Sequence, residues 1–387
     1  MIELFYSHAN KRWYQKSSYQ SIYWGKEPSK LSPFPSSSSS IIQLQSSHDA
    51  IRPLVGILAG SNRKHHFSGN GPIFKTIQQE LTECGGLSYV FTPDDIYPSF
   101  ITGYLYNHFL QKWTGFRFPY PNIVYNRIPN REEERSNKVT AFFNLLKKKG
   151  IPYFNRSFFQ KDHILSHLAA NEALSPFIPE TAPATEGNFL HFLKSNPSIF
   201  FKPTSGSKGR GIFKVKKVDS GFQYIDHERN YLFSTFPSLQ EHLMTQIDEA
   251  YLMQRDIKLV THQGDPYDFR VLLQKPFKSW QVTGIGIRAA PPNGLTTHVP
   301  KGGRILPFHK VATQEDEARL NALAILTAEA LEEKEEMLEC SLDIGKDHDG
   351  RMWIFEANAK PMRFDEPLIH QAYIRSLLTS FRTYSAY

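Results

Sequence analysis

Two short stretches near the C-terminus constrain this chain more than any other part of it. Ser341-Leu342-Asp343-Ile344 and Arg351-Met352-Trp353-Ile354-Phe355-Glu356-Ala357-Asn358 flank the turn Lys346-Asp347-His348-Asp349-Gly350. Asp and Gly tolerate tight turns, and both arms are rich in β-branched and aromatic residues, so the pair reads as an antiparallel hairpin. Side chains alternate along a strand, which puts Glu356 and Asn358 on one face. Counting back through the turn brings Asp343 opposite the neighbourhood of Ile354 to Glu356. Two carboxylates and an amide oxygen can then converge, a donor set suited to a hard cation such as Mg2+ that shares phosphate oxygens and water. An ordinary strand end carrying polar residues fits the hairpin equally well when it is taken alone.

A second feature lies far upstream. The run Ile199-Phe200-Phe201-Lys202-Pro203-Thr204-Ser205-Gly206-Ser207-Lys208-Gly209-Arg210-Gly211-Ile212-Phe213-Lys214-Val215 places glycines between two strand-like segments. A Walker loop must lead into a helix, and this one leads into a strand, so it reads as the flap of a β-hairpin. Glycines let backbone N–H groups close over phosphates, and Ser207 and Lys208 add a hydroxyl and a charge. A plain surface turn is the alternative.

Bulk properties narrow the class. With 387 residues the chain can hold two or three domains, and 40% hydrophobic with 21% charged residues describes a globular protein. A net charge of +7 suits anionic ligands, but the basic residues are scattered and no nucleic-acid motif appears. Cys84 and Cys340 stand alone, which argues for a reducing compartment rather than a disulfide framework. The N-terminus lacks a signal-peptide pattern, and no apolar run approaches the ~20 residues that cross a bilayer. A cytoplasmic protein that engages neither membrane nor nucleic acid is expected.

Taken in order, residues 1–50 form an aromatic extension (Tyr6, Trp13, Tyr14, Tyr19, Tyr23, Trp24) ending in the serine run Ser36–Ser40, a linker by composition. The extension is either a small β element docked on the body or an arm for a partner. Residues 51–155 read as strand (Leu54 to Ala59), helix from Pro72 to Gly85-Gly86, strand (Leu87 to Phe91), strand (Ile123 to Tyr125), helix (about Glu132 to Lys149) and strand (Ile151 to Phe154), the start of a doubly wound α/β layer. The loops 61–71 and 126–131 lie where such sheets bind ligands, with His65, His66 and Arg127 as candidates, each equally readable as a surface residue. Beyond them, a helix opens at Gln160 and a strand at Tyr251 ends near Gln254. Asp268 and Arg270 share a strand face, and Thr313 with Asp316 resembles a capping box at the head of a helix reaching Glu339. The acidic end of that helix, Glu332 to Glu336, reads as a solvated face.

The ordered set of Lys161, Lys202-Pro203, the glycine flap, the strand ending at Gln254, Asp268-x-Arg270, Asp343 and Glu356-x-Asn358 resembles an ATP-grasp enzyme over about residues 54–365. Within that superfamily the chain is most similar to the endospore coat-associated YheC/YheD group, on Tyr125-Asn126-Arg127-Ile128, Phe154-Asn155, Pro179-Glu180-Thr181 and the flap Gly206 to Ile212. The resemblance implies an α/β protein with α+β lobes: an ATP-grasp fold preceded by a Rossmann-like layer and a short N-terminal extension. It divides the chain into the 1–50 extension, a 51–155 pre-ATP-grasp domain, a 156–245 lobe with the flap and a 246–387 lobe with the metal hairpin.

The resemblance also implies roles. ATP and Mg2+ would be the cofactors. Lys161, Lys202, Ser207, Lys208 and Gly209 would contact phosphates, and the backbone from Met253 through Gln254 and Arg255 to Asp256 would contact adenine. Asp343, Glu356 and Asn358 would hold the metal, and Arg270 and Arg304 would steady the transferred phosphoryl group. Gln254 stands where many relatives carry Glu, and the Asn that usually precedes the final glycines is not clear around Gly302-Gly303-Arg304. The implied reaction activates a carboxylate as an acyl phosphate for attack by an amine. The alternatives are a non-catalytic structural component of the spore coat that keeps the ATP-binding fold, and a kinase. Spore coat proteins would be the macromolecular partners, and the coat the place of association.

Overall fold

The computed structural model describes residues 1–16, 21–33, 42–45, 49–204, 211–247, 250–291, 294–297 and 302–386. The expected serine linker Ser36–Ser40 and the flap residues Gly206, Ser207, Lys208 and Gly209 lie outside them. Among the described residues no helix is long and apolar enough to cross a membrane.

The first α/β unit is a six-stranded sheet. Four of its strands, Leu87–Phe91, Leu54–Leu58, Ile123–Asn126 and the edge strand Tyr153–Phe154, run parallel in that spatial order. Leu54–Leu58 and Leu87–Phe91 are buried at every position, as continuous apolar runs demand when helices cover both faces. Helix Gly71–Glu83 packs on one face together with the C-terminal helix Pro367–Ser385, and Asn137–Lys148 packs on the other. The single expected helix near Glu132 is two, Arg131–Glu134 and Asn137–Lys148, because Ser136 caps the second by accepting from the Val139 N–H. An antiparallel hairpin, Ile101–Asn107 with Lys112–Phe118, extends the sheet beyond Leu87–Phe91.

The N-terminal segment lies against this sheet. Strands Ile2–Ser7 and Arg12–Gln15 pair with each other, and Trp13 and Trp24 pack on Phe118 in a core that continues into Leu54, Tyr89 and Tyr120. Trp13 Nε1 donates to the Arg117 carbonyl at 2.8 Å. The described part of the extension shares its core with the α/β unit rather than standing apart.

Two further sheets follow. The flap sheet has the order Thr181–Pro183, Tyr251–Arg255, Ser198–Pro203, Phe213–Val218, Gly221–Ile225, Asn230–Phe233. The break expected at 245/246 falls inside it, because Tyr251–Arg255 is an interior strand paired on both sides. The metal-hairpin sheet has the order Arg304–Leu306, Gln281–Ala289, Asp265–Gln274, Glu339–Lys346, Met352–Asn358. One face of that sheet packs on helix Gln314–Glu332 and on helix Lys161–Ala170. Thr313 and Asp316 do form a reciprocal capping box, but the helix stops at Glu332. Its acidic end is tied down, not merely solvated: Glu332 takes Lys275 and Trp280 Nε1, Glu335 takes Ser157, and Glu336 pairs with Arg156.

Candidate functional site

The site is assembled on the face of the metal-hairpin sheet opposite helix Gln314–Glu332. The turn closes with the Gly350 N–H donating to Asp347 O at 3.0 Å, and Gly350 takes a φ of 78°, a region that favours glycine. From there the register sets Lys346 against Met352 and Ile344 against Ile354, then slips by one residue so that Asp343 faces Glu356. Phe355 is the extra residue of this bulge. The slip changes which parity is buried: Met352 and Ile354 face the core before it, Ala357 and Ala359 after it. Glu356 is therefore turned to the same side as Asp343, with Asn358 two residues on, opposite Ser341.

The row continues sideways. Arg270 is the partner of Asp343 on the next strand, and Gly286 is the partner of Arg270 beyond it. Lys161, at the start of its helix, brings Nζ to 3.7 Å from Glu356 Oε1. All of these line a cleft of about 1380 Å³ between the metal-hairpin sheet and the loops of the first α/β unit. Lys202 stands on the flap sheet, its ammonium bonded to Gln254 Oε1. Burial, opposed by the charge of Glu356, pushes the Lys202 ammonium down to about 8.

The other expected residues divide. Gln254 is buried and spans Lys202 and Thr181, donating from Nε2 to Thr181 Oγ1 at 3.2 Å. The Met253 side chain is fully buried in the flap-lobe core. The Arg255 and Asp256 N–H groups already donate to Glu180 O at 2.9 Å and Ser198 O at 3.0 Å, so these donors are committed to the sheet and not open to a base. Arg255 lies over the Trp353 ring, and the Asp256 carboxylate is held by Ser198 and Lys214. Arg304 is not brought to the cleft: it is exposed at the sheet edge and paired with Asp265, because Arg304–Leu306 is the outermost strand. His65 and His66 are exposed, His66 stacked on Tyr104, and their loop meets the cleft through Gly69, Asn70 and Pro72 instead. Arg127 does line the cleft, but it is occupied by Glu339 at 3.0 Å and by Pro361 O at 2.9 Å.

The arginine that joins the carboxylates is Arg288, which sequence reasoning passed over. It is buried and lies 3.2 Å from Asp268 and 3.0 Å from Asp343. Burial raises the Asp268 carboxyl against the pull of Arg288, and the two carboxylates together hold the guanidinium fully charged. A charge inside the apolar run Gly284 to Ala290 was the available signal. Also missed was the polar knot that fastens the first unit to this sheet. Asn155 donates to the carbonyls of Glu339 and Ala359 and accepts from the Leu338 N–H, while Tyr125 donates to Glu339 at 2.7 Å. Lys360, paired with Glu134, completes that wall.

Two opposed carboxylates and an amide side chain form a donor set that fits a hard cation, and the flanking ammonium group of Lys161 suits phosphate oxygens that such a cation would share. Among the described residues no group of three His, Cys, Asp or Glu side chains converges as a metal cluster. The family description "YheC/D like ATP-grasp" fits residues 150–387. The chain belongs to the YheC/D-like ATP-grasp family. It is 29% identical over 347 residues to the endospore coat-associated protein YheD of Bacillus subtilis strain 168, spanning 83% of this chain and 75% of that one. It is 24% identical over 296 residues to the endospore coat-associated protein YheC of the same organism, covering 72% and 82%. Its fold is similar to that of the VanG D-Ala:D-Ser ligase of Enterococcus faecalis, with a TM-score of 0.52 at 12% identity, covering 86% of this chain and 98% of the ligase. That likeness establishes the ATP-grasp ligase fold for this YheC/D-like chain.

Proposed function

We propose that this protein is an ATP- and Mg2+-dependent ligase that activates a carboxylate as an acyl phosphate and passes the acyl group to an amine. The carboxylate oxygen would take the γ-phosphoryl group with release of ADP; the amine would then displace phosphate from the carbonyl, forming the amide and losing a proton. The observation that carries this reading is the row Arg270, Asp343, Glu356, with Lys161 at 3.7 Å from Glu356 and Lys202 held by Gln254 on the flap sheet.

Phosphoryl transfer depends on positioning and charge neutralisation, and each side chain has a part in that. Lys161 and Lys202 neutralise phosphate oxygens, and Gln254 holds the Lys202 ammonium in place. Arg270 steadies the transferred group. Arg288 holds Asp343 in orientation. Asp343, Glu356 and Asn358 would hold Mg2+, which when bound supplies the positive charge that offsets charge building on the phosphates. Arg304, exposed at the far edge, has no part. The flap residues Ser207, Lys208 and Gly209 are proposed to close over the phosphates. Attachment to the spore coat follows the names of the relatives, and a coat component that binds nucleotide without turnover is the second reading they favour.

Calorimetry of Mg-ATP with the wild type and with Glu356→Ala/Asn358→Ala tests the site. Mg-dependent binding that the double substitution abolishes is expected, followed by ADP release when carboxylate and amine pairs are supplied. Absence of binding by the wild type removes the enzyme reading; binding without turnover across such pairs leaves the coat component.

A further inference from the structure

Eight cationic side chains line the cleft. Four are matched by carboxylates: Arg127 by Glu339, Lys161 by Glu356, Arg288 by Asp268 and Asp343, and Lys360 by Glu134. Arg131, Arg135, Arg270 and Arg363 have no ion pair among the described residues. Arg270 sits in the reacting row, and Arg363 is on an exposed loop. Arg131 and Arg135 are four residues apart at one short helix, so they project from the same side of it.

Arg131 is fixed in place. Its Nη1 donates to Phe159 O at 2.7 Å and its guanidinium lies 4.8 Å from the Phe158 ring centre. Burial, and then the neighbouring Arg135, holds its guanidinium below the usual arginine range, while Glu134 and Glu356 pull the other way. Two unmatched guanidinium groups side by side repel until an anion joins them, and a carboxylate can accept from both.

The unpaired carboxylates of the cleft are Glu132, exposed on the same short helix, and Asp365 and Glu366. Glu366 rests on Gly286, where a Cβ would come within 2.6 Å of its Oε1. Gly286 is three strands from Glu356 along the row, about 14 Å at sheet spacing. The cleft thus carries Arg131 and Arg135 on one short helix and Glu366 against Gly286 on the metal-hairpin sheet. Its volume of about 1380 Å³ also exceeds the roughly 300–1,000 Å³ of a small-molecule pocket, leaving room for chain beside a nucleotide.

We propose that Arg131 and Arg135 bind a carboxylate of the substrate other than the one activated, so that the substrate is an acidic peptide segment. This rests on the ligase reading above. The test titrates tetra-L-glutamate, with tetra-L-glutamine as control, into the full-length protein saturated with Mg-ADP. Wild type binds the glutamate peptide at least about tenfold more tightly than the glutamine peptide, and added salt weakens it. Arg135→Ala, at an exposed position whose side chain has no partner to lose, weakens binding by about tenfold, Arg131→Ala/Arg135→Ala weakens it further, and Arg135→Lys recovers part of the loss. Equal binding of the two peptides, no binding of either, or indifference to Arg135→Ala overturns the proposal. Mg-ADP affinity in the same experiment separates the two ideas: failure of nucleotide binding in the wild type sinks the ligase reading, whereas normal nucleotide binding with no peptide discrimination sinks this inference alone.

Discussion

Lys202, like Lys360, sits in a setting far from that of a surface lysine. Its ammonium is held by Gln254, and burial outweighs the attraction of Glu356 and Asp343, which places its titration at about 8. The sign is set by the charged form. Below pH 8 the ammonium is present and attracts phosphate; as pH rises through 8 the unbound protein loses it, and a triphosphate then meets a neutral amine. Mg-ATP affinity is expected to fall about tenfold between pH 7 and 9 in the wild type. In Lys202→Arg the profile flattens, because a guanidinium stays charged throughout this range. Calorimetry across that interval reads both, and an unchanged wild-type affinity at pH 9 contradicts the role given to Lys202.

At the scale of elements, the site depends on strands held at one register. Arg288 reaches from its own strand to Asp268 on the neighbouring strand and to Asp343 one strand further, a tie across three strands of the metal-hairpin sheet. Arg288→Met leaves two carboxylates without their shared cation, and a loss of about 3–5 kcal/mol in denaturant unfolding is expected. Arg304→Ala, at the exposed edge, is expected to stay within about 0.5 kcal/mol. Strand alternation and turn chemistry made the metal hairpin legible from sequence, and its facing pair was located to within a residue. The slip at Phe355 was not legible, because alternation reports which residues share a face only while the pairing stays regular. The hairpin Ile101–Asn107 with Lys112–Phe118 went unread, as did the place of Tyr251–Arg255 inside the flap sheet. For Tyr251–Arg255, paired with Thr181–Pro183 and Ser198–Pro203, the reason is that pairing across long separations leaves no local signal. Charges such as Arg288, Glu339 and Lys360 looked like surface residues because their partners lie far away in the chain.

For the whole molecule, the sharing of cores decides what can be removed. Trp13, Trp24 and Leu4 fill the same cluster as Tyr89, Phe116 and Phe118, on the side of the first sheet away from helix Gly71–Glu83. Trp24→Ala is expected to cost about 3–5 kcal/mol while leaving Mg-ATP binding intact, since among the described residues the cleft lining shares only Ile128 with that cluster. Deleting residues 1–50 bares this aromatic face, so the shortened chain should aggregate in size-exclusion chromatography. A shortened chain that stays monomeric and folded would mean that the extension is only an appendage.

The knot at Asn155, Tyr125 and Glu339 bears on how the protein handles its ligands in time. It fastens the first α/β unit to the metal-hairpin sheet, and Pro367–Ser385 packs into both. The flap sheet has a core of its own, with Leu252 reaching into that of the metal-hairpin sheet. Fastening the first α/β unit to the metal-hairpin sheet fixes two walls of the cleft against each other. The end of the cleft at Gly286 and Glu366 is therefore expected to keep one shape with and without nucleotide, and hydrogen exchange there that nucleotide leaves unchanged is the outcome that checks it.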